Sequence, residues 1–257
     1  MKSIDLNCDL GEREDLAAEV QELLLESVTS ANIACGAHAG SEALMRMTVA
    51  QAQRHGVAIG AHPGYPDRKN FGRLEMALPL ADLEWSVEQQ IRSLQRIATR
   101  AGAEVLYVKP HGALYNQAAR DQALAAAIAR AVARVSPRLG LVGLAGSGML
   151  EVWRDAGFRV AAEAFADRRY EPDGCLRARR HPDALLDAPG AAAAQALGIA
   201  VHGGAVAVNG SIVRIDAQTL CIHGDTPGAA AIARAVRRRL EEHGVAVCPW
   251  LSKPGLG

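Results

Sequence analysis

The sequence predicts an α/β protein in which parallel strands form the core and helices lie outside them. Three observations carry this. Short apolar runs alternate with amphipathic helical stretches from end to end, the pattern of repeated βα units. The chain has 257 residues, which fits one large α/β barrel better than two independent domains, and 49% of them are apolar, enough for a sizeable core. Nearly every strand candidate also ends in acids, His or Lys beside Gly or Pro, where parallel α/β folds gather their function. A single domain over 1–257 is therefore expected. Alternation alone does not separate a closed barrel from an open, doubly wound sheet.

The elements follow in order. Ile4–Leu6 is a first strand, followed by a helix across roughly Leu16–Ser27. Ala31–Ala34 is a second strand. Ser41 is placed to cap a helix that ends at His55–Gly56, with Gly at the position that favours a left-handed backbone. Val57–Ile59 is the third strand, and a Pro/Gly-rich loop from Pro63 to Pro79 precedes a long helix ending at Gly102. Val105–Val108 is the fourth strand, Ala118–Val135 an Ala-rich helix, Leu141–Leu144 the fifth strand and Met149–Ala156 a short helix. Phe158–Ala162 is the sixth strand; a polar loop from Asp167 to Pro189 leads to a helix over Ala191–Ala200. Val206–Val208 and Ser211–Ile215 flank Asn209-Gly210, which predicts a hairpin on a type I′ turn. Thr219–Ile222 is the seventh core strand, a helix runs from about Gly228 to Glu242, and Val245–Cys248 closes the chain.

Composition excludes several functions. Lys plus Arg equals Asp plus Glu at 28 each, so there is no electrostatic footprint for nucleic acid or an anionic membrane. No basic segment followed by an apolar one marks a secretion signal, and no apolar stretch is long enough to span a bilayer. Cys8, Cys35, Cys175, Cys221 and Cys248 are odd in number, widely spread and form no CxxC pair, which reads as free thiols in a reducing cytoplasm.

The chemistry sits at the strand ends. The first strand runs into Asn7-Cys8-Asp9-Leu10-Gly11-Glu12, the second carries Asn32 and runs on to His38, and the third reaches His62-Pro63-Gly64. The fourth runs into Lys109-Pro110-His111, with Tyr115 and Asn116 close behind; the sixth into Glu163 and then Asp167-Arg168; the seventh into His223-Gly224-Asp225. Any one of these is explained by packing or by a loop cap. Six in one chain are not, since charged groups near a core are costly unless paired or used. On one parallel sheet they converge on one mouth.

The runs DLNCDLGE, SANIACGAHAG, GVAIGAHPGYPDRKNFGR, VKPHGALYNQA, LVGLAGS, EAFADRRYEPDG and CIHGDTP resemble the LamB/YcsF family, in order and over nearly the whole chain, from Met1 to about His243. The resemblance implies a distorted β/α barrel of parallel strands, of the glycoside hydrolase/deacetylase type. It implies ATP-dependent hydrolysis of 5-oxo-L-proline to L-glutamate, together with separate B and C subunits. ATP is consumed by the complex, and whether this chain binds it stays open: no GxxxxGK[ST] phosphate loop is present, although Gly143 to Gly148 precedes a short helix and is able to offer backbone N–H groups to an anion. Where Ser41 and Ala37 stand, the family usually has an acid and often an aromatic; Ser41 is expected to cap its helix as well as the acid does.

On this resemblance the expected catalytic residues are Asp9, His62, Lys109, His111, Glu163 and Asp225. Asp9 is the expected base for water, with Glu12 or Glu163 behind it. Lys109 and His111 are expected to hold a carboxylate or phosphate. His38, His62 and His223 are expected donors to the oxyanion or the leaving nitrogen, with Asp225 orienting a neighbouring His. Asn7, Glu12, Asn32, His38, Tyr115, Asn116, Asp167, Arg168 and His223 are the expected substrate-binding set. Two other readings compete. Asp9, His38 and His62 are ligand types suited to zinc, as in a metal-dependent deacetylase-like hydrolase, although no HxxxH or HExxH spacing marks a site. The chain also reads as a non-catalytic subunit that shapes its partners. A thiol nucleophile at Cys8 or Cys35 is the weakest alternative, since neither has a His placed by local sequence as its base.

Overall fold

The computed structural model describes residues 2–13, 18–226 and 228–251. Its organising feature is the alternation along β1 (Lys2–Leu10): Ile4, Leu6, Cys8 and Leu10 face the surrounding helices, while Asp5, Asn7 and Asp9 point into the middle of the sheet. All seven are buried. β2 (Ser30–Ala34), β3 (Ala58–His62), β4 (Val105–Val108), β5 (Gly140–Leu144), β6 (Val160–Phe165) and β9 (Thr219–Ile222) follow around it, each parallel to the next. β9 pairs with both β6 and β1, so the seven strands close into a barrel. The open-sheet alternative is thereby excluded.

The inside of this barrel is layered and largely polar. Lowest, Asp5 accepts from Ser30 at 2.6 Å and Thr29 at 2.7 Å, and from Thr219. Burial raises its carboxyl to about 6 despite these donors. Above it Asn7 donates to Thr219 and accepts from Asn32, whose Oδ1 takes the Tyr107 hydroxyl. A side chain at Gly60 would collide with the Tyr107 ring, which is why β3 thins to glycine there. Below, β10 (Val245–Val247) pairs with the start of β1, and the chain then seals the barrel floor with Trp250 and Leu251 against Tyr107, Val142 and Ala161.

Outside lie α1 (Ala18–Leu25), α2 (Glu42–Arg54), α3 (Leu80–Arg100), α4 (Gly112–Ala118), α5 (Gln122–Val135), α6 (Met149–Asp155), α7 (Pro189–Leu197) and α8 (Ala229–Glu242). Ser41 caps α2 through its hydroxyl to the Leu44 N–H, and Gly56 follows the helix end at φ +66°. The expected start of the first helix at Leu16 and the expected Pro227 of the last strand end lie outside the described residues.

Several elements differ from expectation. The Ala118–Val135 helix is two helices, because Asp121 breaks the run and caps α5 through the Leu124 N–H at 3.0 Å. α7 begins at Pro189 and continues into a π turn over Gly198–His202. The hairpin exists as β7 (Gly204–Val206) and β8 (Ile212–Arg214), but not on a type I′ turn. Gly210 alone has positive φ, at 85°, while Asn209 does not. The Gly210 N–H bonds to the Ala207 carbonyl and the Ala207 N–H to the Ser211 carbonyl. That is a three-residue loop, a type I turn closed by a left-handed Gly, which needs one positive φ where I′ needs two. Among the described residues no helix is long and apolar enough to cross a membrane.

Ser41→Ala should lower stability by about 1 kcal/mol through loss of the cap, and Ser41→Asp should leave it near wild type. Urea unfolding of the three proteins checks this; an unchanged midpoint for Ser41→Ala would contradict it.

Candidate functional site

At the carboxyl ends of the strands the polar layers finish in a buried charge cluster. The Lys109 ammonium, only 3% exposed, lies 2.8 Å from Glu163 Oε1, 3.0 Å from Asp9 Oδ1, 3.2 Å from Cys221 Sγ and 3.3 Å from Asn7 Oδ1. Four strands, β1, β4, β6 and β9, thus meet on one nitrogen. Asn32 donates to Asp9 at 2.8 Å, and the Tyr115 hydroxyl donates to Glu163 at 2.8 Å. Burial alone would lower the Lys109 pKa; Asp9, Cys221 and Glu163 reverse this and lift it well above the ordinary lysine value. Burial would likewise raise the Asp9 carboxyl, but the charges of His62 and Lys109 hold it well below the carboxylate range. The expectation that Lys109 clamps a substrate carboxylate meets an ammonium whose three donors are already taken.

Beside this cluster three imidazoles gather around Glu12. His38 and His111 stack face to face, with centroids 3.8 Å apart and planes 3° from parallel, and His62 meets both edge-on. Their Nε2 atoms lie 3.4, 3.6 and 3.9 Å from Glu12 Oε1 for His38, His111 and His62 respectively. The 63–79 loop makes this packing feasible. An added Cβ at Gly64 would fall 2.7 Å from His38 Nδ1, and one at Gly72 the same distance from His38 Cβ. Phe71 between them holds φ +56°, the one positive φ outside glycine among the described residues, and sets its ring edge-on to His38 and His111. Such strain persists only where surrounding contacts enforce it. Burial lowers the His38 pKa, and with the neighbouring imidazoles lowers that of His111 further, so both rings are neutral. For His62 burial also acts downward, but Asp9 overrides it and raises the value.

A third group lies on the opposite wall. Asp167, fully buried, accepts from the backbone N–H of His223, from its Nδ1 at 3.0 Å and from the Thr226 hydroxyl at 2.8 Å. This fixes the His223 ring, which stacks on Phe165 at 5.3 Å, with Nδ1 as the atom that donates to Asp167. Asp225 does not orient a histidine: its carboxylate faces outward to Arg73 at 2.6 Å and Arg179 at 3.4 Å. The loop after β9 turns it toward the rim, and Asp167, expected only to bind substrate, holds His223 instead. Asn116 is exposed and folds back on the Gly112 carbonyl; Arg168 is turned to the Arg177 carbonyl and braces the 167–189 loop.

Asp9, Glu12, His62, Lys109, His111, Tyr115, Glu163 and His223 line one cavity of about 860 Å³, and Asn116, Arg168 and Asp225 lie farther out along its wall. Asn7, Asn32, His38 and Asp167 stand behind that surface. Toward solvent come Arg73, Arg120, Arg179, Arg180 and Arg214, and the 144–148 loop forms one side. Acids and imidazoles therefore occupy the floor, and the mouth carries five guanidinium groups against the carboxylates of Glu75, Asp173 and Asp225. Sequence reasoning missed Tyr107, Cys221, Phe71 and the rim arginines: Tyr107 and Cys221 read as core, and Phe71 and Arg73 sit in a loop with no periodicity.

The model of the LamB/YcsF family matches residues 4–254. The chain belongs to the LamB/YcsF family. A curated relative from Chloroflexus aggregans, named as the A subunit of 5-oxoprolinase, is 52% identical over 249 residues, covering 96% of this chain and 98% of the relative. The solved structure of a lactam utilization protein from Thermus thermophilus superposes with a TM-score of 0.89 at 43% identity, over 96% of this chain and 99% of that one. A family 4 carbohydrate esterase from Streptomyces lividans reaches a TM-score of 0.52 at 12% identity, covering 100% and 95%, a likeness of fold alone. The barrel of this chain thus shares its overall fold with that esterase.

Lys109→Met should cost about 3–5 kcal/mol, because Asp9 and Glu163 are left as buried, uncompensated charges. Adding Glu163→Gln should recover part of the loss. The sign with pH should also change. In the native protein Asp9, with its lowered pKa, gives stability that is present above the unfolded carboxyl pKa, near 3.9, and lost as pH falls through the lower folded value. Without Lys109 burial raises the Asp9 carboxyl, so its stabilising contribution is present at low pH and lost as pH rises. Urea unfolding at pH 5 and pH 8 checks this; a deficit that shrinks toward pH 8 would contradict it.

Proposed function

We propose that this chain is the A subunit of an ATP-dependent 5-oxoprolinase, and that it opens the lactam ring of 5-oxo-L-proline to give L-glutamate together with separate B and C subunits. The observation that carries the reading is the cavity: a cationic mouth over a floor of carboxylates and imidazoles, in a chain 52% identical to a protein named for the same role in 5-oxoprolinase. The lactam utilization protein of Thermus thermophilus supports the same substrate class. The five free thiols fit a reducing cytoplasm, where we place the complex.

A five-membered lactam is a stable amide, and attack by water needs both a base and a stabilised oxyanion. Transfer of a phosphoryl group from ATP to the lactam oxygen makes the carbonyl carbon electrophilic. In this reading the partners perform that transfer, since the chain has no P-loop, and the activated ring is opened here. The rim arginines draw in an anion of this kind. Asp9 takes the proton of the attacking water. A carboxyl held so low is a weak base, but it is always ionised near neutral pH, and an activated carbon demands less of its base. His223, held by Asp167, gives a proton to the ring nitrogen as the C–N bond breaks, and the γ-glutamyl phosphate so formed is hydrolysed by a second water to glutamate and inorganic phosphate. Lys109 keeps Asp9 charged and holds both Asp9 and Glu163 in place.

Purified chain with ATP and 5-oxoproline should form no glutamate, and addition of the B and C subunits should restore it. In that reconstituted assay Asp9→Asn, shown folded by circular dichroism, should lower turnover about a hundredfold or more, with a separate loss of stability because Lys109 keeps only one counter-charge. Vigorous glutamate formation by the single chain would overturn the division of labour. Near-normal turnover of Asp9→Asn would remove Asp9 from the chemistry.

A further inference from the structure

We propose that Glu12, His62 and His111 form a divalent metal site of the zinc class at the cavity floor, with His38 as the residue that positions its ligands. The placement differs from the Asp9, His38, His62 set that residue types suggest: His38 reaches Glu12 and not Asp9, and Asp9 is engaged by Lys109 and Asn32.

His62 Nδ1 lies 2.7 Å from the Lys109 carbonyl, an acceptor only, so Nδ1 carries a proton and Nε2 is the ring atom left to face the site. That Nε2 is buried, has no hydrogen-bond partner, and looks at two carboxylate oxygens, Asp9 Oδ1 at 3.4 Å and Glu12 Oε1 at 3.9 Å. A buried nitrogen facing carboxylates without a hydrogen bond is tolerated only where a positive charge lies between them, whether a proton on Nε2 or a metal ion. A backbone carbonyl on the far nitrogen is also the usual support of a metal-ligating histidine, because it fixes the ring and its tautomer.

Distances point the same way. The His62 and His111 Nε2 atoms stand 3.9 and 3.6 Å from Glu12 Oε1, too far for hydrogen bonds. Bonds of about 2.0–2.2 Å to a tetrahedral zinc put neighbouring ligand atoms about 3.3 Å apart, so each of the two histidine nitrogens needs to close on Glu12 by only about 0.6 Å or less. The Glu12, His62 and His111 ligand atoms all lie within 4.8 Å of one another. Two histidines and one glutamate leave a position open, here toward the cavity that all three line. An ion there would supply Lewis acidity to a bound carbonyl or water. His38 stacks on His111 and contacts Glu12 at 3.4 Å, which fixes two of the three ligands. The other cluster of ligand types, Asp9, Cys221 and His223, carries no such site, since the Lys109 ammonium already lies against Asp9 and Cys221.

The test is made on the isolated full chain without substrate, ATP or partners, so its outcome is separate from that of ring opening. Protein stripped with a chelator and desalted is titrated with Co²⁺, read by visible absorption, and then with Zn²⁺ as competitor. One Co²⁺ per chain should bind and be displaced by Zn²⁺. His111→Ala and Glu12→Gln should each weaken binding about a hundredfold or more, and His38→Phe, which keeps the stacking, about tenfold. Circular dichroism and melting confirm that each variant is folded. X-ray absorption on the zinc-loaded wild type needs no variant and should show two imidazoles with oxygen ligands. Failure of the wild type to bind either ion overturns the proposal. So does binding that Glu12→Gln leaves unchanged, or a zinc shell with sulfur or fewer than two imidazoles.

Discussion

Lys109 is charged inside a barrel, and the rest of the site is arranged around that fact. An isolated ammonium in such a place would lose its proton or unfold the protein. Here it sits between Asp9 and Glu163, with Asn7 and Cys221 completing its surroundings. These partners arrive on three strands other than its own, so the barrel must close in the right register for the charge to be tolerated. Cys221 pairs across the ladder with Asn7, and Asp9 with Asn32, which keeps these groups at one height. The polar layers below extend the same logic downward, through Tyr107 and Asn32 to Asp5. Buried networks of this kind favour one arrangement strongly when every member is satisfied.

The interior charge also sets the electrostatics of the cavity. With Lys109 set against Asp9 and Glu163 from below, the floor is not a simple anionic well, and the stacked imidazoles of His38 and His111 beside Glu12 are neutral. The arginines lie outside this layer, at the mouth, where water reaches them. An incoming anion therefore meets positive charge first and hydrogen-bonding groups second. Glycines at 64 and 72 matter as much as the charged groups, because they let the loop press on the stacked rings of His38 and His111.

Much of this was legible in the sequence. The βα alternation marks out the strands in order, and the polar strand ends locate the mouth. Strand limits read from the sequence fall short for one reason. Asn7 and Asp9 in β1, His62 in β3 and Glu163 in β6 are polar residues inside strands, and apolar runs stop before them. A barrel with a polar interior hides the ends of its strands from any reading based on hydrophobic periodicity. Pairings are less visible still. That Asp167 and not Asp225 holds His223 depends on the direction of one loop after β9, and that Lys109 is enclosed depends on closure of the barrel. Neither leaves a trace in local spacing.

The enclosed ammonium of Lys109 is observable directly. In protein carrying ¹³C-labelled lysine, the Lys109 side-chain carbon next to the ammonium is followed by NMR as pH rises. The Lys109 signal should stay that of a charged group through and beyond the ordinary lysine value, about 10.4, for as long as the protein remains folded. A Lys109 resonance that titrates below that value would mean that burial outweighs Asp9 and Glu163, and would contradict the account.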